Sequence, residues 1–136
     1  MNEFEIINNY VKVRRSFGSG ENVFQENEES GEVFIILEGQ IRIKKAASSG
    51  RVAVARLKKG DVLGEARLFD PASERRSVTA VAEGEVVVGL LDHHRLTTDL
   101  NALDPRLRSM MRILARRLRS ITAETASLAR QSEENQ

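Results

Sequence analysis

The alternation of apolar and polar positions divides the chain into a strand-rich first part and a helical last part. Gln40-Ile41-Arg42-Ile43-Lys44 and Val52-Ala53-Val54-Ala55-Arg56 alternate as half-buried strands do, and turn formers such as Ser48-Ser49-Gly50 and Lys59-Gly60-Asp61 separate such runs. The same reading predicts strands over 11–15, 22–25, 32–37, 40–45, 51–57, 62–63, 76–82 and 85–91, after a short helix over 3–10. Many short strands at close spacing predict a sandwich or barrel. From Asp92 the period changes. Asp92 caps a short helix to about Leu100, and Asp104-Pro105 marks a second start, a capping carboxylate followed by an imino acid at the first helical position. This last helix is predicted to reach about Arg130, roughly 40 Å at 1.5 Å per residue, more than a compact domain needs for its own cover.

The apolar positions of the long helix explain its length. Leu107, Met111, Leu114, Leu118, Ile121, Thr125 and Leu128 follow one another at alternating spacings of four and three, the seam of two packed helices, so a two-fold homodimer is expected. Met110 and Ile113 form a second stripe, expected to rest on the strands. The chain is accordingly divided into a strand-rich unit with flanking helices over 1–103, a dimerisation helix of the same domain over 104–130, and a polar tail over 131–136.

Composition narrows the function classes. A chain of 136 residues, 40% hydrophobic, has the size of one ordinary domain and can bury a core. Lys and Arg number 21 against 20 Asp and Glu, so the net charge of +1 gives no global pull toward nucleic acid or an anionic membrane. Charge is nevertheless segregated: Glu21, Glu26, Glu28, Glu29 and Glu32 lie early, and Arg106, Arg108, Arg112, Arg116, Arg117 and Arg119 lie late. There is no Cys, hence no disulfide or thiolate site. The start lacks the basic region and apolar core of a signal peptide, and no segment has the apolar length of a membrane span, so a cytoplasmic location is expected. A metalloenzyme needs clustered His and carboxylate ligands. The two His, His93 and His94, are adjacent at a helix start and point in different directions, so no catalytic residue, metal or cofactor is assigned.

The candidate chemistry lies between Gly60 and Ala82. Gly64 lets backbone come close to a ligand, and a helical turn from Glu65 to Phe69 points free N–H groups at an anion. Arg76 supplies the countercharge through a planar fork that matches two phosphate oxygens, and Ser77 adds a hydroxyl. Glu65 is suited to accept from a ligand hydroxyl. A ligand that carries both hydroxyl and phosphate gives both charged side chains a reason to face inward.

This cassette resembles the phosphate-binding cassette of cyclic nucleotide-binding domains, and the resemblance runs from about Val11 to Leu128. Phe17-Gly18-Ser19-Gly20-Glu21-Asn22-Val23-Phe24-Gln25-Glu26 looks like the family's turn and strand, and Val33 to Ile43 looks like its central hairpin with Gly39 at the turn. Arg76-Ser77-Val78-Thr79-Ala80-Val81-Ala82 matches the strand that carries the phosphate arginine, and Ala115-Arg116-Arg117-Leu118-Arg119 is similar to the long helix of the catabolite activator protein branch. The resemblance implies a mainly β fold with α, an eight-stranded antiparallel β-roll of jelly-roll type with a long C-terminal helix. It implies a sensor that binds cAMP or a related cyclic nucleotide through Gly64, Glu65, Ala66, Arg67, Arg76 and Ser77. By the same likeness Ile121 and Thr122 fall where that branch has two hydroxyl residues touching adenine; Thr122 keeps the hydroxyl and Ile121 does not.

Position 67 departs from the pattern, with Arg where the family usually has a small residue. Such a side chain blocks the pocket, turns outward, or reaches over the anion as a second cation; the first case makes the chain a dimeric interaction scaffold that no longer binds nucleotide. In the transcription-factor branch a winged helix-turn-helix follows the long helix. Here Gln131-Ser132-Glu133-Glu134-Asn135-Gln136 follows, so no direct DNA binding is expected and the output passes to a separate, unknown partner protein.

Overall fold

Antiparallel pairing of a few long strands organises the chain in the computed structural model, which describes residues 1–48 and 50–134. The order is α1 (Glu3–Asn8), β1 (Val11–Phe17), β2 (Asn22–Phe24), β3 (Phe34–Ala47), β4 (Gly50–Lys58), β5 (Val62–Leu63), α2 (Ala66–Phe69), β6 (Thr79–Leu91), α3 (His93–Asn101) and α4 (Pro105–Glu134). The sheet runs β1-β6-β3-β4, with β2 added to β6 and β5 added to β3. This is the expected mainly antiparallel β architecture with helices at its flanks and a long helix at its end.

Among the described residues six strands are formed where eight were expected, because β3 and β6 each run through a predicted break. Gly39 is not at a hairpin turn. It lies inside β3, where the β3–β6 register shifts between Ile36 and Glu38 and again between Glu38 and Gln40. Bulges of this kind bend paired strands without ending them. The true hairpin joins β3 to β4, with Ala47 opposite Gly50. Arg76 also lies outside a strand, three residues before β6 begins.

Burial of the run Val33-Phe34-Ile35-Ile36-Leu37 accounts for the layers. Phe34 and Ile36 enter an inner cluster with Phe24, Ile41, Ile43, Leu63, Val86 and Val88. Val33, Ile35 and Leu37 point the other way and pack with Leu91 under Phe4, Ile7, Tyr10 and Leu96, which α1, its C-terminal flank and α3 supply. A strand covered on both faces reads as a continuous apolar run, as this one does.

Capping chemistry sets the helix starts. The Asn2 side chain accepts from the Glu5 amide while Glu5 reaches back to the Asn2 amide; Asp92 accepts from the Arg95 amide, and Asp104 from the Arg106 amide. The last helix runs past Arg130 to Glu134, since Gln131 to Glu134 contain no helix breaker. Of the expected polar tail, Asn135 and Gln136 lie outside the described residues.

The face of α4 turned to the roll differs from expectation. Met110 and Ile113 are 58% and 55% exposed, so they do not rest on the strands. Ala115 and Ala126 are buried, and Arg108, Arg112, Arg119 and Thr122 are half-buried. These residues form one stripe with the same alternation of four and three. Small side chains at 115 and 126 let the helix axis come close; between them Arg119 reaches Asp70 and Ser73, while the Nε atoms of Arg108 and Arg112 are buried with no hydrogen-bond partner among the described residues. The proposed seam residues Leu107, Leu114, Leu118, Ile121, Thr125 and Leu128 are exposed, and Met111 is half-buried.

Candidate functional site

Between β3, β4, the α2 segment and α4 lies a cavity of 550 Å³. Its lining brings together Gly64, Glu65, Ala66, Arg76 and Ser77 from the cassette, and Ile121 and Thr122 from α4 across the gap. Phe24, Val54, Leu57, Phe69, Arg75 and Arg119, which the sequence reading did not single out, complete much of the wall.

Arg76 is the best-fixed charge in this wall. It is 8% exposed; Nη1 donates to the Gly64 carbonyl at 3.1 Å and Nη2 to the Glu32 carbonyl at 2.8 Å. Its guanidinium lies 4.2 Å from the centre of the Phe24 ring, a cation–π contact that also fixes the fork's plane. Burial pulls its pKa down from the ordinary arginine value, against the charges of Glu32, Glu28 and Glu65. Arginine remains protonated regardless. Two carbonyls occupy only part of a guanidinium's donor set, and Nε is buried with no hydrogen-bond partner among the described residues.

Gly64 makes this possible by being glycine. Its φ is +83°, and a Cβ there would stand 2.6 Å from Arg76 Nη1 and 2.7 Å from the Glu32 carbonyl oxygen. The left-handed turn therefore carries the Gly64 carbonyl to the guanidinium and leaves the next residue, Glu65, in the cavity wall.

Burial pushes the Glu65 carboxyl above the usual carboxylate range, opposed by a hydrogen bond from its own main-chain amide and by the charge of Arg76. The folded chain therefore holds this proton more tightly than the unfolded chain does. The associated stability is present below the ordinary glutamate range and is lost as pH rises through the raised value. Glu65→Gln, which cannot ionise, should accordingly gain thermal stability over the ligand-free parent, with a gap that widens between pH 4 and pH 8. Parallel melting curves across that range test this, and a gap independent of pH would show that the carboxylate is not strained.

Arg67 does not line the cavity. Its Nη1 donates to the Ser30 carbonyl at 2.6 Å, and the Ser30 hydroxyl in turn donates to the Ser73 carbonyl at 2.7 Å. The bulky side chain is thus turned aside onto the loop before β3. Thr122 lines the cavity while its hydroxyl donates back to the Leu118 carbonyl at 2.8 Å. Five residues of the apolar seam, Met111, Leu114, Leu118, Ile121 and Thr125, line the cavity as well, so one face of α4 serves both the cavity mouth and the exposed stripe. The spacing of that seam is the signal that could have placed them here. Phe24 and Arg119 had no such signal, because their roles depend on contacts distant in sequence.

An antiparallel β-roll with a buried guanidinium and a half-buried carboxylate on one cavity, covered by a long helix, defines a ligand-binding module. The chain belongs to the cyclic nucleotide-binding domain family, whose pattern matches residues 14–100. It is 30% identical over 113 residues to a CRP-like cAMP-activated global transcriptional regulator of Mycobacterium tuberculosis, an alignment covering 82% of this chain and 50% of the relative. The chain thus spans half the length of that regulator. The catabolite activator protein of Thermus thermophilus superposes with a TM-score of 0.65 at 25% identity, over 90% of this chain and 56% of that one. The cAMP-bound form of the EAL enzyme Bd1971 superposes with a TM-score of 0.72 at 22% identity, over 80% of this chain and 29% of that one, a likeness of fold. No helix among the described residues is long and apolar enough to cross a membrane.

Proposed function

We propose that this chain is a cyclic nucleotide sensor that binds cAMP and signals through α4 as a homodimer in the cytoplasm, without catalysis of its own. The observation that carries the reading is the buried Arg76 guanidinium, its Nε without a hydrogen-bond partner among the described residues, beside Glu65 in a cavity with mostly apolar walls. A cyclic phosphate answers the guanidinium, a ribose hydroxyl answers the carboxylate, and the base lies on the α4 side near Ile121 and Thr122. The M. tuberculosis regulator, described as cAMP-activated, supports cAMP as the first ligand to test. Residues 1–103 form the sensing roll and 104–130 its output helix.

Calorimetric titration with cAMP, cGMP and cyclic di-GMP tests the ligand. Saturable binding of cAMP at one molecule per chain is expected; silence with all of them, from a folded protein, would favour the ligand-free scaffold. Arg67 is the residue that would favour that alternative, and its bond to Ser30 away from the cavity weakens the case for it.

The dimer rests on the exposed apolar stripe of α4, where Leu107, Leu118 and Leu128 are 48%, 60% and 62% exposed. Leu118 lines the cavity, so a charge there would perturb ligand and interface together. Leu128 lies beyond the cavity. Leu128→Glu should therefore convert dimers to monomers on light scattering while leaving nucleotide binding within a few-fold; an unchanged mass would rule out this seam.

A further inference from the structure

Asp70 directly follows α2 and is 1% exposed, a buried carboxylate outside the cavity lining. Its Oδ1 accepts from the Ala72 amide at 3.2 Å. Its Oδ2 accepts from Arg116 Nε at 3.2 Å and from Arg119 Nη2, both on α4. Arg119 uses its other terminal nitrogen on the Ser73 hydroxyl. Ser73 ties back in turn, its carbonyl accepting from Ser30, whose own carbonyl holds Arg67 of α2.

These bonds make one polar joint between α4 and the cassette. Burial alone opposes ionisation of Asp70, yet the Ala72 amide, the Arg116 hydrogen bond and the charges of Arg116 and Arg119 hold its carboxyl below the usual range. It is therefore charged at neutral pH. The Arg119 arm is the better shielded, its side chain 30% exposed against 56% for Arg116. On α4, Arg119 stands one turn from Thr122 and Ala115, so fixing it fixes the helix face that walls the cavity.

We propose that Asp70 is the positioning residue that seats α4 over the ligand cavity, acting through Arg119 and Arg116 without touching the ligand. The proposal rests on the cyclic nucleotide reading above for its ligand. Both elements that Asp70 joins contribute to the cavity: Ala66 and Phe69 from α2, Leu118, Ile121 and Thr122 from α4. Removing its charge leaves two α4 guanidinium groups without their common acceptor, and frees the helix to tilt from the cassette.

The test combines cAMP titration with hydrogen exchange on the full chain, for the parent, Asp70→Asn, Arg119→Gln and the double variant. Asp70→Asn should bind roughly tenfold more weakly and lose exchange protection in α4 around residues 115–126, and the double variant should bind no worse than Arg119→Gln alone. A merely structural role would lower the melting temperature but leave the affinity of folded protein unchanged. Affinity within twofold of the parent together with unaltered exchange in α4 would overturn the proposal. Should Asp70→Asn fail to fold, Arg116→Gln carries the same test, since Arg116 is half exposed and outside the cavity lining. If the parent binds none of the nucleotides, the ligand reading fails and exchange decides alone: loss of α4 protection in Asp70→Asn supports the seating, and unchanged protection overturns it.

Discussion

Arg76→Lys is expected to weaken cAMP binding by about a hundredfold or more, the largest functional effect of any single conservative change in this chain. Lysine keeps the charge but not the fork. It cannot hold the Gly64 and Glu32 carbonyls at 3.1 and 2.8 Å while offering two further donors in one plane to an anion. It also loses the guanidinium's contact with the Phe24 ring. Arg76→Ala removes binding altogether, but orphans both carbonyls, each at about 1–3 kcal/mol where they stay buried. Through these backbone contacts Arg76→Ala is expected to lower the melting temperature as well. Lysine is for that reason the more informative variant. Titration calorimetry on Arg76→Lys, with a melting curve to establish folding, decides the point. Affinity within a few-fold of the parent would mean that charge alone suffices, and that the fork geometry has no role in recognition.

Gly39→Ala is expected to give the largest loss of stability, about 3 kcal/mol and roughly 10 °C in melting temperature. At Gly39 φ is +89°, and a Cβ would stand 2.4 Å from the Glu85 carbonyl oxygen and 3.1 Å from Val86 Cα. Both obstacles are backbone of β6, which cannot swing aside as a side chain tip can. Gly84 supplies the control: its φ is +75°, but nothing stands within 4 Å of its Cβ position. Gly84→Ala should therefore carry only the left-handed backbone penalty, about 1 kcal/mol. Chemical denaturation of the two variants separates clash from strain. Equal losses would show that the approach of β3 to β6 relaxes freely.

These glycines also show where sequence reading stops. Gly39 and Gly84 interrupt apolar alternation in the way a turn does, and a glycine in a bulge leaves the same trace as a glycine in a hairpin. Only pairing across the sheet, with Gln40 opposite Glu83 and Glu38 opposite Val87, shows that the strands continue. By contrast, the helix starts at Asp92 and Asp104 were legible because capping is local: the donor and acceptor lie within three residues. The cassette was legible for a similar reason, since Gly64 and Glu65 are adjacent and Arg76 follows at a short, fixed distance. Phe24 beneath Arg76, and Asp70 and Ser73 against α4, could not be read this way. They were spacer residues in the sequence, and their partners lie 46 to 52 positions away.

The stripe that α4 turns to the roll is hidden from the sequence on the same grounds. Apolar spacing shows that a helix has stripes but not which stripe faces its own domain. An inward stripe that includes Arg108, Arg112 and Arg119 looks like an outward one until Asp70 is placed opposite Arg119. Small residues at 115 and 126 are the complementary signal, and they are weak when read alone.

The two stripes of α4 are offset by one residue, about 100° around the helix axis. One holds Ala115, Arg119, Thr122 and Ala126, and the other Leu114, Leu118, Ile121 and Thr125. Turning the helix by that angle would put Leu114 and Leu118 where Ala115 and Arg119 now face the roll, and would part Arg119 from Asp70. The rotational setting of the helix is thus fixed by side-chain size as well as by charge, with small residues at 115 and 126 and a buried carboxylate opposite 119 selecting the same face.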